Sequence, residues 1–363
     1  MDELCRAKQI YWAARKRWRE WLSRIPNQAL SHLEYCRHKA KIIWGLFNNI
    51  VILLWDRIMV LFGSRELIVI GLVEHMGDIV AAQPIAVYVR AVHPKAQLVW
   101  VTRKPFEELV NTFDDIDRVL SVQCITEWAL LRNSGIFTKH YDLHVNKRSC
   151  PICKKTILRK TGNPLIDTAN YYNFGTLLAI MCQNAGLPIL DDGPELIIPD
   201  ETIGKMDEIG LPEKFIVLHT SSNELSRDWM PDKWALLAQR LLERTDYSLI
   251  EIGLSPMLQM ESTRYLSCCG NFSIIETAEI IRRATLYIGI DSGPAHIANA
   301  VKTYGIILKG AYRAFPRYLS YSGGYGNGET AFIVSANGPT STITVDEIMV
   351  VVTDRFRAGS QYK

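Results

Sequence analysis

Cysteine is scarce in this chain: there are eight in 363 residues. That is too few to staple a protein of this length, which excludes the disulfide-scaffold class. Charge of one sign is scarce too. The net charge of +3 gives no electrostatic footprint for nucleic acid, which is not expected as a partner. Met1 to Arg24 is rich in Arg, Lys and Trp and has no long apolar core, so no cleavable signal peptide is expected. These absences predict a reducing, cytoplasmic setting. A Gly-x-Gly-x-x-Gly fingerprint is also missing at the first glycine turn, which reads VEHMGD. This weakens a dinucleotide-dehydrogenase reading.

The chain is 48% hydrophobic and 22% charged, which suits a folded globular protein, and it is long enough for two domains. Residues 1–65 stand apart. Met1 to Lys41 holds ten Lys or Arg against four Asp or Glu, with Arg15, Lys16, Arg17 and Arg19 set among Trp12, Trp18 and Trp21. The apolar stretch IIWGLFNNIVILLWDRIMVLFG follows, interrupted by Asn48, Asn49, Asp56 and Arg57. Helices on an anionic membrane surface, helices packed on protein or in an oligomer contact, and a true span all satisfy this pattern. The basic-aromatic flank favours the membrane surface.

From Glu66 the chain alternates short branched apolar runs with glycine turns and helical patterns. ELIVIGL, AQLVWVTRK, IDRVLSV and YDLHVNK are predicted strands of a first domain, 66–195. FIVLHTS, YSLIEIG, TLYIGI and GIILKG are predicted strands of a second, 213–345. Strand, turn and helix in repetition predict parallel sheets covered by helices, with ligands in the cleft at the strands' carboxyl ends. In SIIETAEIIRRA, Ser273 is the predicted cap, with Glu276 three residues on. Residues 196–212 lie within a stretch rich in Pro, Gly and acids and are taken as the linker. Residues 346–363 form a last helix and tail, expected to pack back on the first domain.

The stretch IGIDSGPAHIANAV carries the densest chemistry. Ile290 ends a strand and Pro294 begins a helix, so Ser292 and Gly293 sit at a helix N-terminus, where free amides and the helix dipole favour a phosphate. Asp291 would repel a phosphate but can accept hydrogen bonds from sugar hydroxyls, and His296 can brace the loop or reach the phosphate. A simple helix cap and a structural histidine are the plain alternatives. In the first domain, HMGDIVAAQP places Gly77 and Asp78 at a strand-to-helix turn. There Asp78 can deprotonate an attacking hydroxyl or simply cap the helix.

GDIVAAQP with the later HP, SRDWMPDKWALLAQRL, and above all GNFSIIETAEIIRRATLYIGIDSGPAHIANAV resemble the bacterial heptosyltransferases, glycosyltransferase family 9. The resemblance covers about Glu66 to Lys309. It implies an α/β chain with the GT-B fold, two Rossmann-like doubly wound domains, here with a helical amino-terminal extension. It implies inverting transfer of heptose from ADP-heptose without a required cofactor. Carried over, Asp78 matches the general base. Asp291 holds the donor sugar, Ser292 and Gly293 bind its diphosphate, and His296 matches the family histidine. Ser221 and Ser222 match hydroxyl residues at the phosphate. Arg227 matches a phosphate-side lysine if one residue is inserted nearby. Gly77, His144, Arg313 and Arg317 are acceptor-side candidates.

Two departures stand out. Met257 occupies a position where the family often has an acid near the ribose. A loop with four tyrosines, AYRAFPRYLSYSGGYGNG, replaces a proline-rich one; it either shapes the acceptor, closes the site or is plain surface. Outside the family pattern, Cys150 and Cys153 form a Cys-x-x-Cys pair near His140 and His144. These four can make a tetrahedral structural zinc site. Inert thiols are the bland reading, a redox pair is a further one, and Cys124 and Cys182 add ligand candidates. Lys147, Arg148, Lys154, Lys155, Arg159 and Lys160 form a basic stretch that suits an anionic acceptor or a solvated face equally.

The function expected is heptose transfer to a lipopolysaccharide core or related bacterial surface glycan. The partners are a nucleotide-sugar donor, a glycan or glycolipid acceptor and an anionic membrane surface. The expected location is cytoplasmic, peripheral on the inner face of the cytoplasmic membrane. Another nucleotide-sugar donor, a protein acceptor and a non-catalytic sugar-nucleotide-binding scaffold are the alternatives.

Overall fold

The computed structural model describes residues 27–63, 65–312, 315 and 319–360. Two parallel sheets organise it. In the first, β1 (Leu67–Gly71), β2 (Gln97–Arg103), β3 (Arg118–Val122) and β4 (Lys139–Asp142) lie in the order β3-β2-β1-β4. In the second, β5 (Phe215–His219), β6 (Ser248–Ile252), β7 (Tyr265–Ser267), β8 (Leu286–Ile290), β9 (Gly305–Lys309) and β10 (Ala331–Ser335) lie in the order β10-β9-β8-β5-β6-β7. Strands β1, β5 and β8 are buried along their whole length. That is why each reads as a continuous apolar run rather than an alternating one.

The helices that matter are α1 (Asn27–Phe62), α2 (Met76–Ala81), α3 (Gln83–Val92), α4 (Ile125–Arg132), α5 (Leu177–Ala185), α6 (Asp200–Glu208), α7 (Pro231–Arg244), α8 (Ile274–Arg283), α9 (Gly293–Ala300) and α10 (Val345–Ser360). The Ser273 and Glu276 capping box forms at the start of α8 as its spacing predicts. In both sheets the central strand crosses directly into a site helix, β1 into α2 and β8 into α9.

Three departures have clear causes. The stretch 196–212 is more than a strap. It contains α6, which buries Met206 and docks on α8 through the ion pairs Lys205–Glu276 and Arg283–Asp207. The last helix, α10, packs on the second domain rather than back on the first. Ile348, Met349 and Val352 join the core with Trp234, Leu237 and Leu241 of α7, and Phe356 stacks on Tyr247. Strand β4 stops at Asp142, before His144, because Asp142 and His144 turn inward to bond with buried partners.

Helix α1 lies against the first sheet. Ile42, Asn49, Leu53, Asp56 and Val60 form its buried stripe. The two polar members of that stripe have partners: Asn49 donates to the Ser121 carbonyl at 3.0 Å and to Glu127 at 3.3 Å, and Asp56 forms an ion pair with Arg118 at 3.0 Å. Gly45 permits the approach, since a Cβ there would stand 2.6 Å from the Glu127 carboxylate. Asn49 and Asp56, two of the residues that interrupt the apolar run in sequence, are thus docking contacts, and Arg57 bonds to Thr138. The opposite face exposes Ile43, Trp44, Phe47, Val51, Leu54, Trp55, Ile58, Leu61 and Phe62. Within His32–Phe62 an 18-residue window has a mean hydropathy of 1.6, so by length and composition this helix is apolar enough to cross a membrane.

Candidate active site

The two glycine turns meet across the domain boundary. A Cβ on Gly77 would lie 2.8 Å from the His296 ring and 3.3 Å from the Cα of Gly293. A Cβ on Gly293 would lie 2.4 Å from the end of the Met76 side chain. Glycine at 77 therefore lets the two turns pack closely, whereas at 293 an added Cβ would clash only with the movable end of Met76. The contact brings Asp78, in the first turn of α2, to the same cleft as the N-terminus of α9.

On the second-domain side, Asp291 is buried and both carboxylate oxygens are occupied. Tyr321 donates to one at 2.6 Å and Ser320 to the other at 3.0 Å. Both donors come from the tyrosine-rich loop, so this loop is part of the site wall and not plain surface. No side chain caps the first turn of α9. Ser292 instead turns its hydroxyl to the Ile290 carbonyl, 3.2 Å, and lies 3.1 Å from Nδ1 of His219. Arg227 donates to the Asp291 carbonyl at 3.2 Å and lies over the Tyr312 ring, 4.1 Å from its centroid. A guanidinium held between a carbonyl and a ring can still offer paired donors to phosphate oxygens.

Buried charge is limited here by the histidines staying neutral. Burial lowers the His219 pKa to about 4. Burial also lowers that of His296, opposed by the charges of Asp291 and Asp78 and reinforced by Arg227. His296 packs on Tyr321 with ring centroids 4.7 Å apart. Lys309, at the end of β9, has its pKa lowered by burial, with Asp291 acting in the other direction.

On the first-domain side, Arg148 converges on the turn. It donates to Nε2 of His75 at 2.9 Å and lies 3.7 Å from both Glu74 and Asp78. His75 has a φ of 63°, a left-handed conformation that costs energy in a residue with a Cβ. A cavity of about 20 Å³ opens beside Asp78, lined by Glu74, Arg148, Tyr171 and His144 among others. Tyr171 and Tyr172 meet Phe315 edge-to-face at 5.0 and 5.2 Å, and Tyr172 meets Tyr312 at 6.2 Å. The tyrosine-rich loop of the second domain thus closes onto the first.

The structure gathers Gly77, Asp78, Arg227, Asp291, Ser292, Gly293 and His296 in one place. Ser222 is engaged by Asp228, through both its amide, 2.8 Å, and its hydroxyl, 2.9 Å, and Ser221 precedes it at the end of the β5 turn. Arg313 and Arg317 lie outside the described residues. His144 is a wall residue with both ring nitrogens in use: Nε2 accepts from the Val73 amide at 2.9 Å and Nδ1 bonds to Asp142 at 2.7 Å. Burial works against the Asp142 charge, but His144 and Arg132 hold its pKa at about 2.

The metal set expected from sequence is corrected. His144 is consumed as described, and His140 sits between the rings of Trp128 and Phe137. Cys150 and Cys153 are joined instead by Cys124 and by His38 of α1. The basic stretch divides. Arg159 is buried and donates to the carbonyls of Thr161, Asn163 and Asn184, Lys147 pairs with Asp167, and Lys154, Lys155 and Lys160 are exposed.

Sequence reading missed His219, Tyr312, Ser320, Tyr321 and Lys309. His219 had a signal: it closes an apolar strand that pairs with β8, opposite Gly289, two residues before Asp291. Near the donor side, Glu251 is fully buried and accepts from Thr220, Tyr265 and the Met257 amide. An acid absent at position 257 is therefore not replaced by a free carboxylate at 251.

Residues 197–313 match the sequence profile of glycosyltransferase family 9 (heptosyltransferase). The chain is 28% identical over 116 residues to lipopolysaccharide heptosyltransferase 3 of Escherichia coli strain K12, a match over 30% of this chain and 34% of that protein. It thus spans about a third of the length of the curated relative it matches. Two solved structures share the fold. A family 9 glycosyl transferase from Veillonella parvula gives a TM-score of 0.60 at 17% identity, covering 78% of this chain and 95% of that one. ADP-heptose lipopolysaccharide heptosyltransferase II of E. coli gives 0.57 at 16% identity, covering 80% and 98%.

Proposed function

Because the chain carries a glycosyltransferase family 9 (heptosyltransferase) domain over residues 197–313, we propose that it is an inverting glycosyltransferase that moves heptose from ADP-heptose to a lipopolysaccharide core or a related bacterial surface glycan. One observation carries the reading. The turn bearing Asp78 and the turn bearing Asp291, Ser292 and Gly293 meet backbone to backbone, with Arg227 beside them. The cleft side of Asp78 receives the acceptor, and the α9 side receives the donor diphosphate.

In this mechanism Asp78 takes the proton from the acceptor hydroxyl as its oxygen attacks the anomeric carbon from the face opposite the diphosphate. The bond from that carbon to the diphosphate oxygen breaks, which inverts the centre. Negative charge builds on the departing ADP. The amides at the start of α9 and the Arg227 guanidinium offset it at fixed positions, so they need no reorganisation in the transition state. Asp291, fixed by Ser320 and Tyr321, orients the sugar hydroxyls. Arg148, 3.7 Å from its carboxylate, positions Asp78. No metal is assigned to the chemistry.

We assign the enzyme to the cytoplasm, on the inner face of the cytoplasmic membrane, with α1 lying along the surface. Support comes from a helix about 54 Å long that buries Asn49 and Asp56 on the protein and turns tryptophans and aliphatic side chains outward. A contiguous apolar face of this kind calls for a partner, and the Arg-rich segment preceding α1 suits anionic lipid. A lipid-linked acceptor would then meet the enzyme in two dimensions.

Calorimetric titration with ADP-, GDP-, UDP- and dTDP-sugars tests the reading. ADP-heptose is expected to bind selectively, and Ser292→Arg is expected to abolish that binding. Selective binding of a different nucleotide-sugar would sink the heptose assignment. It would favour the second reading, a transferase with another donor, toward which Met257 and the engaged Glu251 carboxylate point.

A further inference from the structure

Three thiols and one imidazole converge where α1 meets the first domain. The Sγ atoms of Cys124 and Cys153 are 3.9 Å apart. Sγ of Cys150 lies 3.7 Å from Nε2 of His38. All four ligand atoms fall within 4.8 Å of one another. A disulfide would need roughly 2.05 Å between sulfurs, so this is not a bonded pair. Around a tetrahedral Zn²⁺, with Zn–S about 2.3 Å and Zn–N about 2.0 Å, neighbouring ligand atoms stand roughly 3.5–3.8 Å apart. The Cys124–Cys153 and Cys150–His38 separations lie at that spacing, and the remaining ones are within about 1 Å of it.

The backbone is shaped to match. In CPICK the chain doubles back: the Lys154 amide donates to the Cys150 carbonyl at 2.9 Å, the Cys150 amide to the Lys155 carbonyl at 3.3 Å, and Ser149 pairs with Thr156. The Cys153 amide points at the Cys150 sulfur, 3.4 Å away, as a donor stabilising a thiolate would. Lys154 completes the turn with a φ of 55°. Cys150 and Cys124 are buried, while Cys153 and His38 sit at the rim and leave an entry path. Ile42 and Ile157 close the base.

We propose that His38, Cys124, Cys150 and Cys153 bind one Zn²⁺ as a closed structural site. It ties three separate segments together: α1, the start of α4 and the loop that carries Arg148. Cys150 is two residues from Arg148, so the ion anchors the loop that reaches Asp78, and it fixes α1 to the domain. The site lies away from the cleft and does not depend on which sugar is transferred.

Full-length protein from zinc-supplemented cells is measured for metal by plasma mass spectrometry, beside Cys124→Ser, Cys153→Ser and, as control, the exposed Cys36→Ser. Near-stoichiometric zinc in the wild type and the control, falling severalfold in the two cluster variants, is expected. Wild type stripped with a chelator and refilled with Co²⁺ gives the same test without substitution. Thiolate charge-transfer bands and intense tetrahedral visible bands are expected, with the visible bands shifted in His38→Ala. Stripped protein is expected to be cut by trypsin at Lys39 and Lys41 several times faster than the refilled form. Zinc-free protein with every thiol titratable, zinc content equal in all variants, or a Cys124–Cys153 disulfide in the purified chain would each overturn the proposal.

Discussion

The two halves of the cleft are built by different means. The α9 half is local: Ile290, Asp291, Ser292, Gly293 and His296 follow one another through a strand end and a helix start, and a neighbouring strand end adds His219. The α2 half is assembled from a distance. Asp78 depends on Arg148, seventy positions on, which depends in turn on a loop pinned to α4 and α1. A half-site framed by one short segment keeps its backbone when other parts change, although Ser320 and Tyr321 hold its Asp291 carboxylate from the tyrosine-rich loop. A half-site made of distant parts can be loosened from outside the cleft.

The sharpest way to break this symmetry is Asp78→Asn. It is expected to lower the transfer rate by about 10²–10⁴-fold with donor affinity little changed, since Asp78 acts on the acceptor. Single-turnover transfer and donor titration on the same preparation check it, and a parallel loss of donor affinity would contradict the assignment. Next is pH. Burial raises the Glu127 pKa to about 7, so the folded first domain binds a proton that the unfolded chain releases above its ordinary value near 4.5. Stability from this group is present below that value and is lost as pH rises through 7. Glu127→Gln is expected to remove that loss, worth on the order of 3 kcal/mol at most, and to gain more at pH 8 than at pH 5 in denaturant titrations.

His219 behaves in the opposite way. With its folded pKa lowered to about 4, the unfolded chain binds the extra proton between about 6.5 and 4, and stability falls as pH drops through that window. His219→Gln should flatten that acid-side decline, again by on the order of 3 kcal/mol or less. The two variants together separate the halves: one flattens the alkaline side of the stability profile, the other the acid side. The smallest effect is expected from Arg227→Lys. Loss of the stacked guanidinium over Tyr312 should weaken donor binding by about 1 kcal/mol, roughly fivefold, read by calorimetry.

The same division governs what could be read from the chain beforehand. The strands, the Ser273 and Glu276 capping box and the Asp291 to His296 turn are set by neighbours in sequence, and periodicity and spacing describe them. Ser320 and Tyr321 on Asp291, the Arg148 contacts and the union of His38 with Cys124 depend on tertiary pairing, which leaves no local period. His140 and His144 were plausible ligands by proximity in sequence, yet alternation along β4 and the inward turn at Asp142 send them elsewhere. In α1, polarity was legible but its sense was not. Asn49 and Asp56 mark the face that touches protein, because they find partners in Ser121, Glu127 and Arg118 there.

The contact between Gly77 and Gly293 has a mechanical meaning. A side chain added at Gly77 would meet the His296 ring and the Gly293 main chain, so the two turns approach more closely than residues carrying a Cβ at position 77 would allow. The seam thus works as a spacer of minimum thickness between the two sheets, and a larger residue at position 77 is expected to push the Asp78 turn away from the start of α9.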